Sequence, residues 1–177
     1  VSLSGWTLGS LRGRTNRLYA DMGLSQQMLT LEVQHLQWGN TLSAYLVNPD
    51  ACELTIASAP TQCGLGKWFY GPGRDDALKR LPDISADVAA MEAPHRALHA
   101  TALSISEMKR QGNDEGARRL FQGETLPALQ SVQKQMSEIR GKVSADVAAQ
   151  RQDFDRQAQD SNLILLGLGV LSIAALV

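Results

Sequence analysis

Apolar residues recur at helical spacing through most of this chain. Between residues 10 and 47, Leu11, Leu18, Met22, Leu29, Val33, Leu36, Leu42 and Leu46 return mostly at steps of three, four or seven, the period of one helix face. Asn48, Pro49 and Asp50 stop that helix. Residues 48–62 read as loop, with one helical turn at most in ACELTIAS. CGLGKWFY reads as a short turn of helix, which GPG at 71–73 ends. Val88, Met91, His95, Leu98, His99, Leu103 and Ile105 share one side of a second long helix over about 85–110. Pro94 inside it predicts a kink or the helix's true start. QGND at 111–114 is a turn, Asp114 caps a short helix through Gln122, and Thr125 caps the next, with Pro127 in its first turn. From there Leu129, Val132, Met136, Ile139, Val143 and Val147 repeat at steps of three and four with no breaker. At about 1.5 Å per residue, residues 125–177 make one helix of about 80 Å, too long for a compact bundle. The predicted fold is all-α: an antiparallel up-and-down bundle of the four-helix type with short extra helices and a long last helix.

The two ends change the picture. LILLGLGVLSIAALV at 163–177 lacks any strong polar group except Ser172, and such a run predicts the start of a truncated transmembrane helix over 161–177; a buried terminal helix would keep a polar face. Residues 1–11 are also uncharged, with Trp6 at an interfacial position and Arg12, Arg14 and Arg17 directly after, and read as the end of a first span. The domain between them covers 12–160.

With 177 residues the chain can bury a real core, and a net charge of −1 gives no bulk attraction for nucleic acid. Aromatics are only 5%. Cys52 and Cys63 are too few for a disulfide scaffold. The GLG at 64–66 lacks the strand and the following residues of a nucleotide-binding loop.

The chemistry lies in the three histidines and the cysteines. His95 and His99, at i and i+4, leave one helix face a turn apart, a spacing that suits one metal ion. Zinc prefers His and Cys in a tetrahedron, and the chain supplies His35, His95, His99 and one of its two cysteines. The segment is HRALH, so Arg96 stands where a zinc protease would place its catalytic Glu, and that activity is set aside.

HLQW (35–38), CGLGKWFYG (63–71) and HRALH (95–99) together resemble the chemoreceptor zinc-binding domain, as does the following NDEGARRLFQGETLPALQSV. The resemblance covers about residues 20–140. It implies a helical, usually homodimeric sensor of zinc or thiol oxidants that controls chemotaxis receptors or diguanylate cyclases. Its zinc ligands map onto His35, Cys63, His95 and His99. On this reading Gly64 and Gly66 let the backbone turn tightly toward the metal, and Trp38 and Trp68 wall the site. Phe69 and Tyr70 read as core residues. Cys52 reads as a buried thiol, although an oxidising compartment would allow it to pair with Cys63.

The expected function follows. Three His and one Cys leave no open position for water, so the chain reads as a sensor and not an enzyme. It is expected in an inner-membrane receptor such as a methyl-accepting chemotaxis protein, with its C-terminal span leading to a cytoplasmic signalling module. The periplasm is the expected side of the domain and the cytoplasm the alternative, which Arg12, Arg14 and Arg17 favour weakly. No nucleic acid is expected as a partner. The alternatives are a small-molecule receptor with a structural zinc, in which Arg118 and Arg119 meet a carboxylate, the sensor of a membrane diguanylate cyclase or histidine kinase, and a bare dimerisation module.

Overall fold

The computed structural model describes the backbone of residues 3–48, 51 and 53–174, and the side chains of 9–48, 51 and 53–160. Among these the chain is helical, with no strand. In order come α1 (Leu3–Val47), α2 (Gly64–Phe69), α3 (Pro72–Arg80), a 3₁₀ turn (Pro82–Ile84), α4 (Ser85–Arg110), α5 (Asp114–Leu120), a π turn (Phe121–Thr125) and α6 (Leu126–Ala174).

Cross-links between helices fix the topology. Asp21 with Gln150 and Glu32 with Arg140 run α1 antiparallel to α6. Asp87 with Lys142 and Thr101 with Thr125 run α4 antiparallel to α6. Cys63 lies beside His35 while Arg80 lies beside Asp21, so α2 and α3 descend along α1 as one broken strut. The path is therefore up, down, up, down, the expected four-helix bundle with its second member split in two. Leu65, Trp68 and Phe69 of α2 and Ala77 of α3 close the lower core against Leu24, Met28, Val88, Met91, Met136 and Ile139. A second cluster, around Trp38, Leu42, Tyr45, Leu98 and Ile105, fills the upper half.

Three sequence expectations hold closely. The α6 seam of Leu129, Val132, Met136, Ile139 and Val143 is buried, with Val147 partly so. The second long helix spans Ser85–Arg110, running through Pro94, although Leu103 is exposed. The last helix outruns the bundle, and residues 151–160 are exposed throughout.

Several others are corrected. In α1 the buried seam is Leu24, Met28, Leu31, His35, Trp38, Leu42 and Tyr45, whereas Leu11, Met22, Leu29, Val33 and Leu36 are 39–43% exposed. The helix carries two apolar stripes, and the pattern read from aliphatic residues alone followed the outer one for most of its length. The GPG at 71–73 does end the short helix α2, as expected, but it also starts one that the sequence reading lacked: Gly71 is the N-cap of α3 and Pro72 opens it, where a missing N–H costs nothing. Asn113, and not Asp114, caps α5, its side chain accepting from the Gly116 N–H at 3.0 Å. Thr125 caps nothing. Pro127 cannot donate to the carbonyl four residues back, and the chain absorbs this as a π turn instead of a break. Thr125 is buried, its hydroxyl donating to Thr101 Oγ1 at 2.9 Å.

Among the described residues no helix is long and apolar enough to cross a membrane. The side chains of residues 1–8 of the expected first span (1–11) and of all of the expected last one (161–177) lie outside the described residues, as does Cys52 with its suggested pairing to Cys63.

Candidate metal centre

His35 occupies a core position of α1, between Leu31 and Trp38 on the buried seam, and is 2% exposed. His95 and His99 lie one turn apart on α4, 1% and 0% exposed. Cys63 is the N-cap of α2, so its Sγ accepts the Gly66 N–H at 3.2 Å and is held at the mouth of the strut, half-buried. The four side chains converge where α1, α4 and the head of α2 meet. His95 Nε2 is 3.2 Å from Cys63 Sγ and 3.1 Å from His99 Nε2, and His35 Nε2 is 3.7 Å from Sγ. One donor atom from each lies within 4.8 Å of all the others.

Hydrogen bonds orient the rings. His35 Nδ1–H donates to the Leu31 carbonyl at 2.8 Å, and His99 Nδ1–H donates to the Ala57 carbonyl at 2.9 Å. A neutral imidazole that donates through Nδ1 presents a bare lone pair at Nε2. Both lone pairs point into the cluster, which is the tautomer a metal requires. His95 Nδ1 is buried and meets no acceptor among the described residues. The three rings pack edge to face, at centroid distances of 5.3 Å for His35–His95, 6.1 Å for His35–His99 and 4.8 Å for His95–His99.

Electrostatics favour uncharged rings. Burial lowers the His95 pKa to about 3, helped by the neighbouring His99 and His35. Burial also lowers His35 and His99, opposed in each by the bond to a carbonyl. Burial pushes the Cys63 thiol up, against the pull of nearby backbone N–H groups and Lys67. The bare Nε2 atoms of His35 and His99, the Nε2 of His95 and the Cys63 thiol thus crowd together inside a core, where one shared cation would satisfy all four. A tetrahedral zinc with bonds of about 2.0–2.3 Å has donor–donor edges of roughly 3.3–3.8 Å; the three pairs at 3.1, 3.2 and 3.7 Å lie close to this, and every pair lies within 4.8 Å. The donor set fits zinc.

The glycines act differently from expectation. Neither Gly64 nor Gly66 has a positive φ. Gly66 is needed for space, since a Cβ there would lie 1.8 Å from the Pro60 carbonyl oxygen; one on Gly64 would meet side chains, Gln34 Oε1 at 2.3 Å and Leu31 Cδ2 at 2.9 Å, which can move aside. Trp38 does wall the site, its ring 5.3 Å from His99. Trp68 belongs to the lower core, edge-on to Phe69 and against Gly73, and reaches the site through Cys63, which packs on that same cluster. Phe69 is buried as expected, but Tyr70 is 44% exposed, its hydroxyl donating to Glu92 at 3.4 Å. Arg118 and Arg119 are exposed, and Arg119 pairs with Glu115 on its own helix. The residue that sequence reasoning missed is Ala57, which acts through its carbonyl alone and leaves no side-chain signal.

No curated protein sequence and no solved structure gives a significant match to the chain. Residues 35–105 match the family model of the chemoreceptor zinc-binding domain, a stretch that opens on His35, contains Cys63, His95 and His99, and is thereby similar to that family both in sequence and in bringing together a metal-binding set.

Proposed function

We propose that this chain is a zinc-binding sensory domain, with His35, Cys63, His95 and His99 as the ligands of one ion. The observation that carries the reading is the convergence of three imidazole Nε2 atoms and one thiol Sγ inside a helical core. Zinc would supply a charge that holds the thiol as thiolate and ties three chain segments together. Four protein donors complete a tetrahedron, so the site serves sensing and not hydrolysis.

The output lies along the strut. Cys63 heads α2, and the foot of α3 carries Arg80, which grips Asp21 of α1 where α1 and α6 leave the bundle. Loss of the ion, or oxidation of Cys63, frees the head of this strut and lets its foot shift against the α1–α6 pair. In a membrane receptor such a shift passes along the last helix to a cytoplasmic signalling module, as in chemotaxis. The outer stripe of α1, Leu11, Met22, Leu29, Val33 and Leu36, supports a homodimer in which a second copy covers it.

The test is the metal content of the purified domain beside a Cys63→Ser variant. About one zinc per chain, lost or strongly weakened in the variant, is expected. No metal in either protein after loading with zinc under reducing conditions sinks the proposal.

One observation favours a second reading. A cavity of about 340 Å³ lies between α1 and α6, lined by residues including Arg14, Leu18, Arg151 and Phe154. A small-molecule receptor would use this cavity, and its ligand binding would survive Cys63→Ser.

A further inference from the structure

We propose that Trp38 is a positioning residue for His99, acting through the main-chain carbonyl of Ala57; the inference rests on the zinc reading above. The Ala57 oxygen accepts two bonds, from His99 Nδ1–H at 2.9 Å and from the Trp38 indole N–H at 3.0 Å. A carbonyl has two lone pairs, so the donors share it without competing.

The two histidines with fixed tautomers differ in what fixes them. His35 donates to the Leu31 carbonyl, four residues back in its own helix, which is rigid whatever happens around it. His99 donates to a carbonyl in the non-helical loop between α1 and α2. Among its described residues that loop is held internally by Ala51 N–H to the Asn48 carbonyl at 3.3 Å, Gln62 N–H to the Ala59 carbonyl at 3.1 Å and Cys63 Sγ to the Pro60 carbonyl at 3.5 Å, while Ala51, Leu54 and Ile56 are only partly buried against the upper cluster. A ligand oriented by such a loop needs the loop anchored. Trp38 provides the anchor from a rigid helix, its side chain 8% exposed and its ring edge-on to His99 at 5.3 Å. The same loop ends at Cys63. Trp38 therefore fixes the segment that orients one ligand and delivers another.

Thermodynamic linkage makes the relation reciprocal: if the indole bond favours zinc, zinc favours the indole bond by the same factor. Outer partners of metal-bound histidines are worth about ten- to a hundredfold in affinity. Trp38 stands one bond further out, and about tenfold is expected.

The experiment measures zinc affinity of the unmodified chain and of Trp38→Phe by competition with a chelating dye. It adds ¹⁵N spectra of the histidine rings and deuterium exchange of the Trp38 indole N–H with and without zinc. The inference predicts about tenfold weaker zinc in the variant, with His99 losing its single Nδ1-protonated form while His35 keeps its own. In the unmodified chain it predicts indole exchange that is about tenfold slower with zinc than after chelation. Unchanged affinity and an unchanged His99 spectrum in Trp38→Phe would overturn it. So would indole exchange that ignores zinc, a result readable even where the variant does not fold. Failure of the unmodified chain to bind zinc overturns the metal reading itself and is a separate outcome.

Discussion

The Arg80 guanidinium donates through Nε to Asp21 Oδ1 at 3.0 Å, and that carboxylate is fully buried. Its second oxygen accepts from Gln150 Nε2 at 3.0 Å and lies 3.7 Å from Arg17 Nε. Arg17 also lies 3.6 Å from Asp146. One buried charge thus joins α1, the foot of the strut and α6 at the base of the protruding helix pair.

Removing Arg80 leaves Asp21 short of its best partner. Breaking a buried ion pair from one side costs about 3–5 kcal/mol, and the remaining Arg17 and Gln150 soften this to about 2–3 kcal/mol for Arg80→Ala. Urea unfolding of the zinc-loaded protein measures it. Because the proposed signal runs from Cys63 to this knot and coupling is reciprocal, Arg80→Ala is expected to change zinc affinity as well, and dye competition reads the change.

Gly66→Ala is expected to be far more damaging than a glycine-to-alanine change in a helix normally is. The new Cβ meets a backbone oxygen at 1.8 Å, which cannot step aside as a side chain can. The head of α2 must shift and carry Cys63 with it. Thermal unfolding should show a loss above about 2 kcal/mol, and dye competition a loss of zinc affinity. Gly9→Ala, inside α1 where a Cβ meets nothing within 4 Å, is the control and should stabilise by about 0.5–1 kcal/mol.

The metal-free protein should be acid-sensitive in a defined window. The folded-state pKa values of His35, His95 and His99 are lowered by burial, His95 to about 3, while unfolded histidine titrates near 6.5. Protons therefore bind the unfolded chain more tightly. Stability is fully present above about pH 6.5 and is lost as the pH falls from there toward about 3. Thermal unfolding of the chelated protein across pH 7 to 4 checks this. His95→Gln should flatten the slope.

Cys63 should be a slow nucleophile without metal. Burial raises its pKa, so near pH 7 it stands as the thiol. Alkylation of the chelated protein should be slower than that of a free cysteine and should quicken only in alkali. A rate at or above that of the free amino acid would contradict this.

The sequence exposed some of this fold and hid the rest for physical reasons. The α6 seam was legible because its inward positions are aliphatic or Met, while the positions between them are mostly polar or small. The inner seam of α1 was not, because Asp21, His35 and Trp38 hold core positions there, and a pattern read on aliphatics passes over them. The side chains of the metal centre could be named since Cys and His are rare and motif-spaced. Their supports could not: the Leu31 and Ala57 carbonyls belong to every residue type alike. The helix α3 was hidden by GPG, which serves as a stop or as an N-cap with Pro at the first position, and only the fold decides which.

The central claim is a single ion held by three imidazoles and one thiolate. X-ray absorption at the zinc edge of the loaded protein tests it most directly. The account predicts about three nitrogen neighbours near 2.0 Å and one sulfur near 2.3 Å, with the sulfur shell gone in Cys63→Ser. A shell of light atoms alone in the unmodified protein, or two sulfurs, would contradict it.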